Sequence, residues 1–255
     1  MLLLIDAGNT RVKWALVDPA TAPQLGVWLH FGSFRHEELD QARSQWALHP
    51  IRKVIVSNVA GSGLQSALAL AVPQDSTVHW FVAQPELAGI INRYREPGRL
   101  GSDRFASAIA AHALYPGQNL IVATCGTATT IDMISAQGDF IGGMIAPGLL
   151  LMTQSLALNT AQLPQLTDPQ PMAAHFAQRT EAAILSGCLT AQVGAIEYAV
   201  RHFVDLTGSD VEAATGLPLC ILSGGAAQFL QPSLRIPHQL IDNLVLIGLQ
   251  AYSLC

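Results

Sequence analysis

The sequence predicts an α/β protein built from two β-rich halves, and two observations carry that expectation. Residues 2–17 read as strand, glycine turn, strand: the run LLLI, then Asp6-Ala7-Gly8-Asn9-Thr10, then an apolar run over 12–17 interrupted by Lys13. The same pattern returns at 119–134 as LIVAT, a Cys125-Gly126-Thr127-Ala128 turn, and TTIDMI. Gly126 falls 118 residues after Gly8, and Thr124 the same distance after Asp6. Identity between the halves is low, but each begins strand, turn, strand, turn, strand, the mark of an internal duplication. Pro116-Gly117 marks the expected boundary, giving domains 1–117 and 118–255, with the final helix free to pack back on the first.

Composition sets the class. Of 255 residues half are apolar and 12% charged, enough for sizeable cores and too apolar for disorder. A net charge of −5 without a long basic run argues against a general nucleic-acid binder. The four cysteines, Cys125, Cys188, Cys220 and Cys255, are scattered and show neither CxxC nor Cys/His ligand spacing. Free buried thiols in a reducing cytoplasm are the expectation, with no zinc site or disulfide framework. The opening apolar run is too short for a signal peptide and is closed by Asp6. No stretch approaches the roughly eighteen unbroken apolar residues of a membrane helix. A cytoplasmic chain that binds neither nucleic acid nor membrane is expected.

Taken in order, the opening hairpin is followed by a third apolar segment over 26–31 and a helix over 34–49 around Leu39, Trp46 and Leu48. KVIVSN at 53–58 is a strand, Ala60-Gly61-Ser62-Gly63 a loop, and 64–71 a helix. That arrangement is either a partial dinucleotide fingerprint, lacking its last glycine at Ser66, or an ordinary strand-to-helix turn, which explains it better. A short strand is expected at 78–82. The stretch INRYREPGRLGSDR at 91–104 concentrates four arginines in a chain poor in charge, then runs into an Ala-rich helix to Leu114. Ser102 is the expected N-cap, with Asp103 in the first turn. Phe140 to Ile145 is a strand, and Pro147-Gly148 opens a helix through Leu158. The proline-rich 159–172 segment is a candidate flexible cover. A long helix over 180–205 carries Gly187 and Gly194, each costing about 1 kcal/mol against alanine, which close helix packing or a subunit interface would explain. Strand 219–222 leads into Ser223-Gly224-Gly225-Ala226-Ala227, either a ligand-binding turn or a tight connection. An apolar helix over 242–254 begins at the acidic cap Asp242.

The hairpin tip has the clearest chemistry. Gly8 admits a ligand close to the backbone. Backbone N–H groups, Asn9, Thr10 and Lys13 can donate to phosphate oxygens, and Asp6 can hold Mg²⁺ directly or through water. Two like domains facing each other would present two such turns to a nucleotide's phosphates. Asp103 has two readings: a favourable partner for the helix dipole, or a carboxylate poised to accept a proton.

Three glycine turns in this order resemble the acetate and sugar kinase, actin and heat-shock ATPase superfamily. DAGNTRVKWAL, YREPGRLGSDR, CGTATTID, GGMIAPGL and RTEAAILSG narrow this to type III pantothenate kinases, a family that includes Bvg accessory factors. The resemblance covers nearly the whole chain, with the motifs in the family's order. It implies two duplicated actin-like (ribonuclease H-like) domains with mixed β-sheets flanked by helices. It implies ATP-dependent phosphorylation of pantothenate to 4′-phosphopantothenate, the first step toward coenzyme A. By this resemblance Asp6, Ala7, Gly8, Asn9, Thr10, Arg11, Val12 and Lys13 line the ATP phosphates, with Thr127 a further ATP contact. Asp103 corresponds to the general base. Tyr94, Gly101, Ser102, Asp103 and Arg104 correspond to pantothenate contacts, and Thr180 to a contact made from the partner subunit of a homodimer. Mg²⁺ is expected at Asp6. The family's second turn often reads DxGT, its aspartate binding a monovalent cation such as K⁺ or NH₄⁺. Here that position is Thr124, a poor replacement for a carboxylate, so the cation requirement is in doubt. Nearby Asp132 is a weak substitute. An ATPase of the same superfamily, or a binding protein without chemistry, are the competing functions. The coexistence of Asp6, Lys13 and Asp103 argues against the second.

Overall fold

The computed structural model describes residues 1–18, 24–166, 176–207 and 217–255, with the side chains of 204–207 outside the description. The chain divides into two compact units. One holds Met1–Pro116, Gly138–Phe140 and Asn243–Cys255; the other holds Gly117–Gln137 and Ile141–Asp242.

The first unit opens on the hairpin β1 (Leu2–Ala7) and β2 (Val12–Val17), paired antiparallel so that Asp6 stands opposite Lys13. Strand β3 (His30–Phe34) adds antiparallel to β2, followed by a 3-10 turn at His36–Glu38 and helix α1 (Leu39–Trp46). Strand β4 (Lys53–Asn58) pairs parallel with β1, helix α2 (Ser62–Ala71) follows, and β5 (Thr77–Phe81) pairs parallel with β4. The sheet order is β3-β2-β1-β4-β5. A short antiparallel pair, β6 (Glu86–Leu87) and β7 (Ile90–Asn92), and a 3-10 turn at Pro97–Arg99 lead into helix α3 (Ser102–Leu114).

The second unit repeats the plan. Strands β8 (Leu120–Cys125) and β9 (Ala128–Ile134) form an antiparallel hairpin, and β10 (Asp139–Pro147) lies next to β9. Strand β10 is divided: Asp139 and Phe140 belong to the first unit, where they pair parallel with Ile91 and Asn92 of β7. Helices α4 (Leu149–Asn159) and α5 (Thr180–Thr207) precede β11 (Leu219–Ser223), which pairs parallel with β8. After the short helix α6 (Ala227–Leu230), β12 (His238–Leu240) pairs parallel with β11. The order β10-β9-β8-β11-β12 matches β3-β2-β1-β4-β5 strand for strand. The last helix, α7 (Leu244–Ser253), belongs to the first unit.

Period-two alternation explains the layers. In the first unit Leu3, Ile5, Val12, Trp14, Leu16, Val54 and Val56 face a core closed by Trp46 and Leu68 of α1 and α2. The opposite face packs against α3 and α7, through contacts of α3 with β4 and of α7 with β1. Asp6, Lys13 and Ser57 lie on that second face. Gly248 of α7 approaches α3 so closely that a Cβ there would lie against the Ala106 carbonyl. In the second unit Ile121, Ala123, Ile131, Cys220 and Leu222 face a core supplied by α4, α5 and α6. A window of α5, Thr180–Phe203, is long and apolar enough by length and composition to cross a bilayer, with mean hydropathy 1.3. Since 56% of it is buried and its Leu189, Ile196, Val200 and Phe203 fill this core, it is a core helix.

Several boundaries differ from the sequence reading. The third strand begins at His30 rather than residue 26, because Gly26 takes a φ of +79° and turns the chain. The helix read over 34–49 is a 3-10 turn followed by an eight-residue helix. Ser102 is the first helical residue of α3 and Gly101 its N-cap. The cap of α7 is Asn243, in the left-handed region at φ +57°, and not Asp242. Of the 159–172 segment read as a flexible cover, 167–172 lies outside the described residues.

Candidate active site

The hairpin tip of the first unit is a closed turn: the Gly8 N–H donates to the Arg11 carbonyl at 3.2 Å. A Cβ at Gly8 would stand 3.2 Å from that same oxygen, so glycine lets the turn tighten. Asn9, Thr10 and Arg11 are exposed, Val12 is buried, and Lys13 is half-buried. Two bonds from the β3 side brace the tip. Arg11 Nε donates to Ser33 Oγ at 2.9 Å, and His36 Nε2 donates to the Gly8 carbonyl at 2.9 Å.

Parallel and antiparallel register set Lys13, Asp6 and Ser57 side by side in one row across β2, β1 and β4. The Ser57 hydroxyl is fully buried and bonds the Ser102 hydroxyl at 2.9 Å. That link ties the first residue of α3 to the strand beside Asp6. Asp103 follows immediately, in the first turn of α3. One of its oxygens, Oδ1, accepts from the Arg104 N–H at 2.8 Å. A Cβ at position 101 would come 2.6 Å from that oxygen, so Gly101 leaves room for this carboxylate orientation.

The electrostatics follow. Burial pushes the Asp6 carboxyl up to about 7; the Lys13 ammonium opposes this and the charge of Asp103 adds to it. The structure therefore brings Lys13 and Asp103 close enough for their charges to bear on Asp6.

Tyr94 and Arg104 form a second cluster in the same unit. Arg104, 7% exposed, donates from Nη1 to the Tyr94 hydroxyl at 2.9 Å. Its guanidinium lies 5.6 Å from the Tyr94 ring centre and 5.7 Å from that of Phe140. Buried Asn92 braces the approach, accepting from the Tyr94 N–H and donating to the Pro97 carbonyl.

The remaining candidates, Thr124, Thr127 and Thr180, belong to the second unit. Thr127 sits exposed at the tip between β8 and β9. Two glycines press against this turn. A Cβ on Gly148 would overlap the carbonyls of Gly126 and Thr127, and one on Gly224, at φ +91°, would overlap the Cys125 backbone. The Gly148 N–H donates to the Thr127 carbonyl, and the Ala226 N–H to that of Cys125. Thr124 stands between Thr130 and Ser223, a row of three hydroxyls. Asp132, fully buried, lies two residues along β9 on the same face. Buried Gln192 of α5 accepts from Thr129 Oγ1 at 2.9 Å and donates to the Pro147 carbonyl at 3.0 Å. Thr180 is exposed at the start of α5. Burial pushes the Cys125 and Cys220 thiols up to about 12, so both are inert in the thiol form.

His36, Ser57 and Gln192 were not singled out from the sequence. A serine within the apolar run KVIVSN is the one signal that pointed to any of them, a polar group destined for burial. His36 and Gln192 act through contacts 28 and 45 or more residues away and leave no local mark.

The family model described as type III pantothenate kinase matches residues 2–202. A type III pantothenate kinase from Janthinobacterium sp. (strain Marseille) is 50% identical over 261 residues, covering 100% of this chain and 98% of that protein. One from Herminiimonas arsenicoxydans is 48% identical, with coverage of 100% and 98%. Among solved structures, a putative 2-dehydro-3-deoxygalactonokinase from Sinorhizobium meliloti gives a TM-score of 0.58 at 14% identity, covering 99% of this chain and 98% of that one. A conserved putative Baf family transcriptional activator from Campylobacter jejuni gives 0.57 at 20% identity, covering 97% and 95%. At these identities the structural likeness is one of fold: two mixed sheets flanked by helices, in the actin-like arrangement of sugar kinases.

Proposed function

The chain belongs to the type III pantothenate kinase family, and on that premise we propose which of its residues carry the family's reaction. That reaction is ATP-dependent phosphorylation of pantothenate to 4′-phosphopantothenate, in coenzyme A biosynthesis. The observation that supports the assignment best is the pairing of Asp103 with the Lys13–Asp6–Ser57 row through the Ser57–Ser102 bond.

Asp103 is the general base. Arg104's N–H occupies Oδ1, which leaves Oδ2 for the pantothenate hydroxyl. As the hydroxyl oxygen bonds to the γ-phosphorus, its proton passes to Asp103, and the bond to the β-phosphate oxygen breaks toward ADP. Residues 6–13 form the phosphate turn, with Lys13 and the tip N–H groups donating to phosphate oxygens. Thr127 and the bare backbone of the second turn contact ATP.

Asp6 fits Mg²⁺. Its carboxyl has no hydrogen bond or ion pair among the described residues, and burial disfavours its bare charge, which a divalent cation would offset. An ion held by one carboxylate, waters and phosphates needs no larger cluster of protein ligands. Bound there, the ion would offset phosphate charge.

Tyr94 contacts pantothenate. Because its oxygen accepts from Arg104, its own proton is free to donate, and Arg104 holds the ring in place. Gly101 and Ser102 complete this contact, and Thr180 supplies one from a partner subunit. A homodimer accords with the apolar surface of the second unit, where Ile141, Met144, Ile145, Leu150, Leu151 and Leu158 are exposed. Nothing lies within 4 Å of a Cβ placed on Gly187 or Gly194 of α5, so these glycines leave room beside the helix. We place the chain in the cytoplasm, where its four free cysteines stay reduced. Thr124 offers no charge to a monovalent cation, and we propose that activity does not depend on K⁺.

The test is phosphorylation of pantothenate with ATP and Mg²⁺ in Na⁺ and in K⁺ buffers. Equal product in both is expected. Product in K⁺ alone would overturn the cation proposal, and ATP hydrolysis indifferent to pantothenate would overturn the kinase reading of this site.

A further inference from the structure

The bond from His36 to the phosphate turn has no place in the scheme above. His36 opens the 3-10 turn that follows β3, 28 residues after Gly8 in sequence. A carbonyl oxygen can only accept, so Nε2 carries the proton and donates to it at 2.9 Å. The contact is part-buried, and the ring itself is half-buried. On the same side Arg11 is fixed to Ser33 of β3. The tip is thus held at both ends of its Gly8–Arg11 closure by the segment 33–36.

The chemistry of an anion cradle explains why this matters. Backbone N–H groups attract phosphate oxygens, and a carbonyl oxygen turned among them repels. In a turn closed by glycine the peptide plane has little else to fix it. A donor placed on the Gly8 carbonyl holds that oxygen away from the N–H side of the turn. We propose that His36 is a positioning residue for the nucleotide's phosphates: it acts through the Gly8 carbonyl and touches neither substrate. The proposal rests on the reading of residues 6–13 as the phosphate turn.

The experiment compares wild type, His36→Ala, His36→Gln and Lys13→Met for binding of a non-hydrolysable ATP analogue and of adenosine, with Mg²⁺ present, alongside thermal unfolding and KM for pantothenate. Losing one hydrogen bond to the turn should raise the Kd for the analogue about three- to tenfold in His36→Ala. Adenosine binding and the pantothenate KM should stay within twofold of wild type. His36→Gln, which keeps a donor, should recover most of the loss. Unchanged analogue binding in His36→Ala, while Lys13→Met weakens it, overturns the role of His36 alone. Unchanged binding in both variants overturns the phosphate-turn reading and the proposal with it. An equal loss for adenosine, or no recovery with Gln in a protein that unfolds at the wild-type temperature, also overturns it, since either would mark a general structural contact.

Discussion

The two hairpin turns of this chain share a frame and differ in what they carry. In the first unit the row across the sheet is Lys13, Asp6 and Ser57; in the second, the same strands give Thr130, Thr124 and Ser223. Strand order is the same, and the hairpin and the two parallel pairings beside it recur, so the two units share a scaffold whose side chains differ. The first turn holds a carboxylate and a cation, and side chains from β3 and the following 3-10 turn brace its tip. The second carries no charged side chain at its tip and is approached closely by backbone at Gly148 and Gly224. One turn is built to act on charge and the other to present peptide groups closely.

Substitutions can break or sharpen this contrast. The largest effect is expected at Asp103. Asp103→Asn should fold normally and lose about 10²–10⁴-fold in pantothenate phosphorylation. Near-full turnover measured with this variant would move the chemistry elsewhere.

Asp6 gives the next effect, read through pH. Its folded pKa of about 7 lies above the model-peptide value of 3.8, so the folded state keeps its proton where the unfolded chain has lost it. The stabilisation is complete below about pH 4 and is lost as pH rises to about 7. Thermal unfolding of Asp6→Asn against wild type should show a gap that moves in favour of the variant between these values and then levels off. A gap independent of pH would mean that Asp6 is not perturbed. Thr124→Asn, at the matching place in the second unit, should show no such trend.

The smallest effect compares the two serines. Ser57→Ala leaves the Ser102 hydroxyl without its partner and should cost about 1–3 kcal/mol in denaturant unfolding, with a fall in kcat as α3 loosens beside Asp6. Ser223→Ala occupies the matching position and should leave kcat within twofold. Equal losses in kcat would erase the difference between the turns.

Much of this was legible in the sequence, for a local reason. Both hairpins, the glycine turns and the helix behind Asp103 are specified by residues adjacent in the chain, whose periodicity and turn chemistry read directly. What sequence missed was settled at long range. The chain turns at 24–28 instead of running on as strand because Gln250 Oε1 accepts from Gly26 N–H and Trp28 Nε1, more than 220 residues away. Strand β12 is three residues long, and β6 two, too short for alternation to show. Gly101 displaced Ser102 as the cap of α3 because the Ser102 hydroxyl is engaged with Ser57. Asp6 and Asp103 could be named from sequence, but the bearing of Asp103 on Asp6 required the register of β1 with β4 and the Ser57–Ser102 bond.

The helix carrying Asp103 owes its seat to a segment made long after it. Eight consecutive residues of α3, from Arg104 to Ala111, are buried, and α7 supplies the backbone-close packing at Gly248 against Ala106. During synthesis the ribosome completes the whole second unit before it reaches residue 243. Until then the alanine-rich face of α3 lacks its cover by α7, and the helix of Asp103 rests on its contacts with β4 and β7 and the Ser57–Ser102 bond. The platform under Asp103 is therefore completed only once α7 has been made, and a chain cut short before residue 243 would carry Asp103 without the helix that packs on α3.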